Sequence, residues 1–206
     1  MNIPMTEDDL TYIQANYVSL PELVADRAES VEEARALVQA RKLPAAPYVL
    51  PDGTEMFPRD WFVLADESGG VDRVRSEFER RFRAAADRAG EPASEETVAG
   101  EWKAYLGGLY AVCLRQVTPE NIFVKEHLVQ RLTELLASPR PEDVNWRMRL
   151  RTDVDALDRL ERPFAPCDRL RLGGPVTRDR LITDVRARYP ECFARGGGGA
   201  SVVAPA

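Results

Sequence analysis

Histidine is almost missing from this chain: His127 is the only one among 206 residues. That excludes His-rich metal sites and leaves any histidine-based catalysis to a single position. Cysteine is nearly as scarce. Cys113, Cys167 and Cys192 stand far apart, odd in number and without a CxxC pair, which argues against a disulfide framework and points to reduced thiols in the cytoplasm. No apolar run approaches the ~18 residues of a bilayer span, so no membrane partner is expected. The N-terminal MNIPMTEDDL is acidic and lacks the apolar stretch of a signal peptide. Nucleophile elbow, P-loop, kinase and zinc signatures are absent, as is GxGxxG. We therefore expect no cofactor and no metal, and motifs alone name no reaction.

What is present is an ordinary globular composition, 44% hydrophobic and 30% charged, enough to bury a sizeable core in one or two domains. Charge is unevenly spread. Residues 1–68 carry 13 acidic and 5 basic side chains, whereas 69–206 carry 21 and 23. An acidic front does not suit duplex binding, because phosphate neutralisation supplies most non-specific affinity. Lysine occurs only at 42, 103 and 125 beside 25 arginines, the mark of a GC-rich bacterial genome rather than of mechanism.

The front reads as helix, turn, helix, hairpin, helix. Ser19 with Glu22, and Ser30 with Glu33, form capping boxes ahead of two short apolar stripes. Asp52-Gly53 between apolar residues is a tight-turn signal, and a further helix restarts at Asp60 with Trp61 and Phe62 as core aromatics. Over roughly residues 10–66 this order resembles a small winged helix of the MerR or excisionase kind, including the step Leu43-Pro44 before the wing. The resemblance implies DNA binding through the second helix. Glu32 and Glu33 at the start of that helix, and Asp52 and Glu55 in the wing, depart from it. A scaffold kept for docking, for example of a biosynthetic partner protein, or for packing against the helical domain is the preferred reading of residues 1–68.

From Gly69 the pattern is helical almost throughout, giving a mostly α protein: a small winged-helix-like unit with one β-hairpin, then a helical domain over 69–195 and a flexible tail over 196–206. Val71, Val74, Phe78, Phe82 and Ala85 trace one stripe. Ser94 caps a helix expected to run to about Arg115, with Gly107-Gly108 in its middle. That pair requires either a close crossing by another helix or a ligand on the backbone. Thr118-Pro119-Glu120 starts a helix ending near Ala137. Trp146 to Leu160 form another, whose Asp153, Asp155 and Asp158 read as solvated faces.

Candidate chemistry is sparse. Acid–base groups in the helical part are Glu101, Tyr105, Tyr110 and Glu126, with Arg115 and Lys125 as charge stabilisers. His127 reads as a boundary residue. Cys113, on an apolar face, reads as an inert core thiol, while Cys167, in the loop beside Asp168 and Arg169, is the better candidate for a reactive one. The least helical stretch, 163–175, ends in Gly173-Gly174 and leads to Thr177 as a helix cap. With Arg169, Arg171 and Arg178 it holds the ingredients of an anion site. The alternative is that these arginines pair with surface acids.

Three segments, LPAAPYVLPDGTEMFPRDWF (43–62), EWKAYLGGLYAVCLRQVTPENI (101–122) and ERPFAPCDRLRLGGPVTRDRLITDVRARYPE (161–191), resemble a bacterial family labelled natural product biosynthesis protein. The resemblance implies an accessory or enzymatic step in specialised metabolism, on a small, anionic or carrier-bound substrate. The competing expectation is a cluster-associated DNA-binding regulator whose helical domain senses a ligand.

Overall fold

Thr6 opens the first helix by a reciprocal cap with Asp9. The Asp9 amide donates to Thr6 Oγ1 at 3.3 Å, and the Thr6 amide donates to the Asp9 carboxylate at 2.8 Å. In the computed structural model, which describes residues 4–194, this helix is α1 (Glu7–Asn16). The tail expected to be flexible, 196–206, lies outside the described residues. The same capping box starts α2 (Leu20–Val24) at Ser19 and α3 (Val31–Gln39) at Ser30, as their sequences require.

The hairpin follows. Strands β2 (Tyr48–Val49) and β3 (Glu55–Phe57) flank a turn in which Gly53 takes φ +87° and Leu50 N–H bonds Thr54 O at 2.9 Å. A strand that the pattern does not announce, β1 (Val18–Ser19), pairs with the other edge of β3, placing Val18 opposite Phe57 in an antiparallel β1-β3-β2 sheet. The next helix, α4 (Val63–Glu67), begins three residues after the expected Asp60, which instead opens a turn closed by Val63 N–H onto Asp60 O at 3.1 Å, while its carboxylate accepts Val117 N–H at 2.9 Å.

The remainder is helical, so the chain as a whole is mostly α with one small sheet. Helix α5 (Val74–Arg88) is followed by α6 (Glu95–Leu106), capped by Ser94, and by α7 (Leu109–Cys113). The expected single helix from 94 to 115 is therefore broken at the glycine pair. Gly108 has φ +72°, and a β-carbon there would stand 2.5 Å from Ala45 O. The close neighbour is neither a helix nor a ligand but the front loop, whose Ala45 N–H also bonds Leu106 O at 2.8 Å. Helices α8 (Pro119–Ala137) and α9 (Val144–Leu160) lie against each other. After them come α10 (Asp168–Arg171), a π-helical turn at Asp179–Thr183, α11 (Asp184–Arg188) and α12 (Pro190–Phe193).

Burial does not follow a boundary at 68/69. One core joins Leu20, Leu43, Phe57, Trp61 and Phe62 of the front to Phe78, Phe82, Trp102 and Tyr105. Each such side chain contributes about 1.5–3 kcal/mol when fully removed from water, so the front unit takes much of its stability from the back. A smaller core sets Ile13, Tyr17, Tyr48 and Met56 against Val112, Ala165 and Cys167. A third holds α8, α9 and the C-terminal helices together around Leu132, Leu150 and Leu157.

Candidate functional site

The break between α6 and α7 brings together two residues that a continuous helix would separate. Nine residues of α-helix rise about 13.5 Å, yet the Tyr110 hydroxyl donates to the Glu101 carboxylate. The same hydroxyl lies 3.3 Å from Glu126 Oε1, which in turn accepts from Lys125 Nζ at 2.8 Å. Two carboxyls from α6 and α8 thus converge on one phenol. Glu101 and Glu126 line a cleft of about 480 Å³ formed by α5, the 91–97 segment, α6 and α8. Its apolar wall includes Phe82 and Phe123. His127 stacks on Phe123, with ring centroids 5.6 Å apart, and its Nδ1 lies 2.8 Å from Glu91 Oε2. Glu91, Glu101, Glu126 and His127 are the ionisable lining, making this cleft rich in carboxylates.

Burial raises the Glu101 carboxyl above its ordinary value, and the nearby Glu126 charge adds to the rise, against the Tyr110 hydrogen bond that favours ionisation. The Tyr110 hydroxyl is pushed far up by burial and by both carboxylates, so it stays a donor. One hydroxyl proton can serve one carboxylate at a time. The arrangement can therefore pass a proton to or from a ligand at Glu101 while Lys125 compensates the charge on Glu126. Burial acts to lower Lys125, and the Glu126 carboxylate 2.8 Å away acts to raise it, with the net direction upward, so the ammonium stays charged.

Behind Lys125 lies Glu161, fully buried where residue 161 bridges to Leu114. Thr177 Oγ1 donates to Glu161 Oε1 at 2.6 Å, and Oε2 has no hydrogen-bond partner among the described residues. Burial raises this carboxyl despite Thr177, Lys125 and Arg178.

Of the residues singled out from sequence, Glu101, Glu126 and His127 line the cleft, and the buried Tyr110 and Lys125 meet the two carboxylates from behind it. Tyr105 is not with them. It is buried against Phe78 and Trp102, with ring centroids 5.1 and 5.4 Å away. Arg115 lies past the end of α7, exposed beside Arg59 and Arg162. Cys167 corrects its expectation: it is buried, its amide donates to Asp9 Oδ1 at 2.6 Å, and burial pushes the thiol to about 12. A thiol so rarely ionised is a poor nucleophile. Cys113 is likewise buried and raised to about 12.

The donors expected to hold an anion near the last helix are engaged internally. Arg169 forks onto Asp179 at 2.7 and 2.6 Å, Arg171 reaches Asp168 at 3.2 Å, and Arg178 pairs with Asp158. The Gly173 and Gly174 amides close a turn onto Leu170 O and Arg169 O. Thr177 is not the cap, since its hydroxyl serves Glu161. Arg180 N–H bonds Val176 O at 3.1 Å, which makes Val176 the residue preceding the helix, and the Asp179 carboxylate accepts Val176 N–H at 3.3 Å. Of the three aspartates read as solvated, Asp153 is buried and pairs with Arg131 at 3.0 Å.

Sequence reasoning missed two buried aspartates. Asp9 and Asp168 are 1% and 0% exposed. Asp168 accepts from Tyr48 Oη at 2.7 Å and from Ala165 N–H at 2.9 Å. Together they tie α1 and β2 to the 165–168 turn. Only the Pro-Phe-Ala-Pro spelling around 163–166 hints at an ordered turn there.

The match with a known family covers residues 73–190, and the chain belongs to that family, the family of unknown function DUF6058. No curated protein matches the chain. No solved structure matches it either.

Proposed function

We propose that this DUF6058 member serves specialised-metabolite biosynthesis by taking a small molecule into the cleft between α5, α6 and α8 and exchanging a proton with it at Glu101. The observation that carries the reading is the convergence of Glu101 and Glu126 on the Tyr110 hydroxyl at an open cleft, with a buried ammonium beside it. The metabolic setting is supported by the resemblance of segments 43–62, 101–122 and 161–191, the second of which supplies Glu101 and Tyr110. The lining selects for a neutral or cationic group, such as an amine, against the carboxylates. An anionic or carrier-borne portion of the substrate is accommodated outside this lining.

The test compares wild type with Glu101→Gln and Tyr110→Phe by thermal shift in butylamine and in butyrate. Stabilisation of wild type by the amine, absent with butyrate and weakened at least tenfold in Glu101→Gln, is the expected result. An equal amine response in wild type and Glu101→Gln overturns the cleft as the site. Native mass spectrometry of freshly purified protein then identifies any retained molecule.

The order α2, α3, hairpin also supports a regulator that resembles a winged helix. Against it, Glu33 is spent capping Ser30 N–H and Arg35 is paired with Glu55 at 3.1 Å, which leaves α3 short of phosphate contacts. That face suits a protein partner better. Steep, salt-dependent binding of the full chain to its own promoter fragment is the result that favours regulation.

A further inference from the structure

A second recess, away from the carboxylate cleft, has the opposite charge. Arg59, Arg115 and Arg162 line a niche of about 400 Å³ together with Asn16, Asp60 and Gln116. Four separate stretches of chain contribute: the end of α1, the segment before α4, the loop after α7 and the strand-like segment after α9. Asp60 is the single acid of the lining, and one of its oxygens is already occupied by Val117 N–H.

Among the described residues the three guanidiniums are not held by ion pairs. Arg162 is anchored by neutral groups: Nε donates to Leu114 O at 2.8 Å and Nη2 to Arg115 O at 3.0 Å, while the guanidinium carbon lies 5.1 Å from the centroid of the Tyr17 ring. Carbonyls and a ring fix its position without cancelling its charge, and Nη1 has no protein partner among the described residues. Arg59 and Arg115 form no salt bridge among the described residues, in contrast to Arg169, Arg171, Arg178 and Arg186 across the C-terminal helices. Bringing three like charges around one recess raises the energy of the empty protein. A divalent oxyanion relieves that repulsion, and the planar donors of arginine match its oxygens in pairs.

We propose that this niche binds the phosphate of a small organic phosphate monoester. The lining charge, three cations and one carboxylate, complements a dianion. The volume falls within the roughly 300–1,000 Å³ of small-molecule sites, leaving space for an organic group beside Asn16 and Gln116. The inference is independent of the cleft: it concerns other residues, and its outcome leaves the Glu101 reading untouched.

The experiment titrates the full chain with glycerol 3-phosphate and, separately, with inorganic phosphate, at ionic strength fixed with sodium chloride. Binding is read by calorimetry and by melting temperature. The exposed residues are changed one at a time, Arg59→Gln and Arg115→Gln, with Arg140→Gln as a distant control. The expected result is saturable binding by wild type and the control, weakened at least tenfold in each niche variant, with melting of the variants in the absence of phosphate no lower than that of wild type. Tighter binding of the ester than of inorganic phosphate supports recognition of the organic group, while equal binding overturns the ester and leaves free phosphate as the ligand. Absence of saturable binding by either, or equal binding by wild type and both niche variants, overturns the site.

Discussion

A β-carbon on residue 108 would meet the carbonyl oxygen of Ala45 at 2.5 Å, and Gly108 holds φ +72° besides. Both constraints act on Gly108→Ala. Overpacking against rigid backbone costs about 1–3 kcal/mol, and the left-handed conformation adds about 1–2 kcal/mol for a side chain. Gly107 has helical φ of −74°, with its nearest prospective contact at 3.4 Å. Gly107→Ala is expected to change stability by less than about 1 kcal/mol. Urea unfolding of the two variants checks the contrast, and equal losses contradict it.

Tyr48→Phe removes the hydroxyl that donates to buried Asp168. The carboxylate keeps Ala165 N–H and Arg171, so the expected loss is about 1–3 kcal/mol, the cost of leaving a buried acceptor short of one partner. Asp168→Ala strands Arg171 and the Tyr48 hydroxyl together and is expected to lose more. Denaturant midpoints at neutral pH order the two variants.

Glu161 gives stability a definite slope with pH. Its folded carboxyl is raised above the ordinary 4.5, so above that value the unfolded chain ionises while the folded one still holds the proton. The associated stability is complete below pH 4.5 and declines as pH rises through the folded value. Each tenfold displacement of the ionisation constant corresponds to about 1.36 kcal/mol. Glu161→Gln removes the titration, and its stability falls less between mildly acidic and neutral pH than that of wild type. Parallel curves for the two proteins refute the assignment.

The thiols are expected to be silent in the native state. Cys113, Cys167 and Cys192 are all buried, and the first two are raised to about 12. Ellman's reagent at pH 8 should label three thiols in denaturant and react with the native protein only as fast as it opens. Rapid native labelling of Cys167 contradicts the burial described.

Residues 1–68 in isolation are expected to lack a cooperative thermal transition by circular dichroism. Trp61 and Phe62 would lose Phe78, Trp102 and Tyr105, with which they share a core, and Tyr17 and Tyr48 would lose Val112, Ala165 and Cys167. A sharp transition in the isolated fragment contradicts the shared core.

Helix starts were legible in the sequence at Ser19, Ser30, Ser94 and Thr118, where a cap and a stripe coincide, but not at Thr177, whose hydroxyl is drawn to Glu161. Helix α1 was not, because its apolar side is thin and its Thr6–Asp9 cap reads as ordinary surface charge. The glycine pair announced an unusual position, but only the fold shows that Ala45 is its cause. The Glu101–Tyr110 contact was hidden by the assumption of a continuous helix. Each partner was a candidate from its chemistry, and their meeting depends on the positive φ at Gly108. Asp9 and Asp168 were hidden for another reason. A carboxylate carries no sign of burial when its donors lie 120 and 158 residues away.

Those distant donors set an order on the protein's own synthesis. Asp9 is made 158 residues before the Cys167 amide that donates to one of its oxygens. At about 5–20 residues per second, α1 and the sheet spend many seconds without Ala165, Cys167 and Asp168. During that interval the core of Tyr17 and Tyr48 lacks Ala165 and Cys167, and the nascent front is exposed to chaperones and proteases. The closing of this core is thus a late event, and a chain cut short before Ala165 leaves α1 without the turn it docks on.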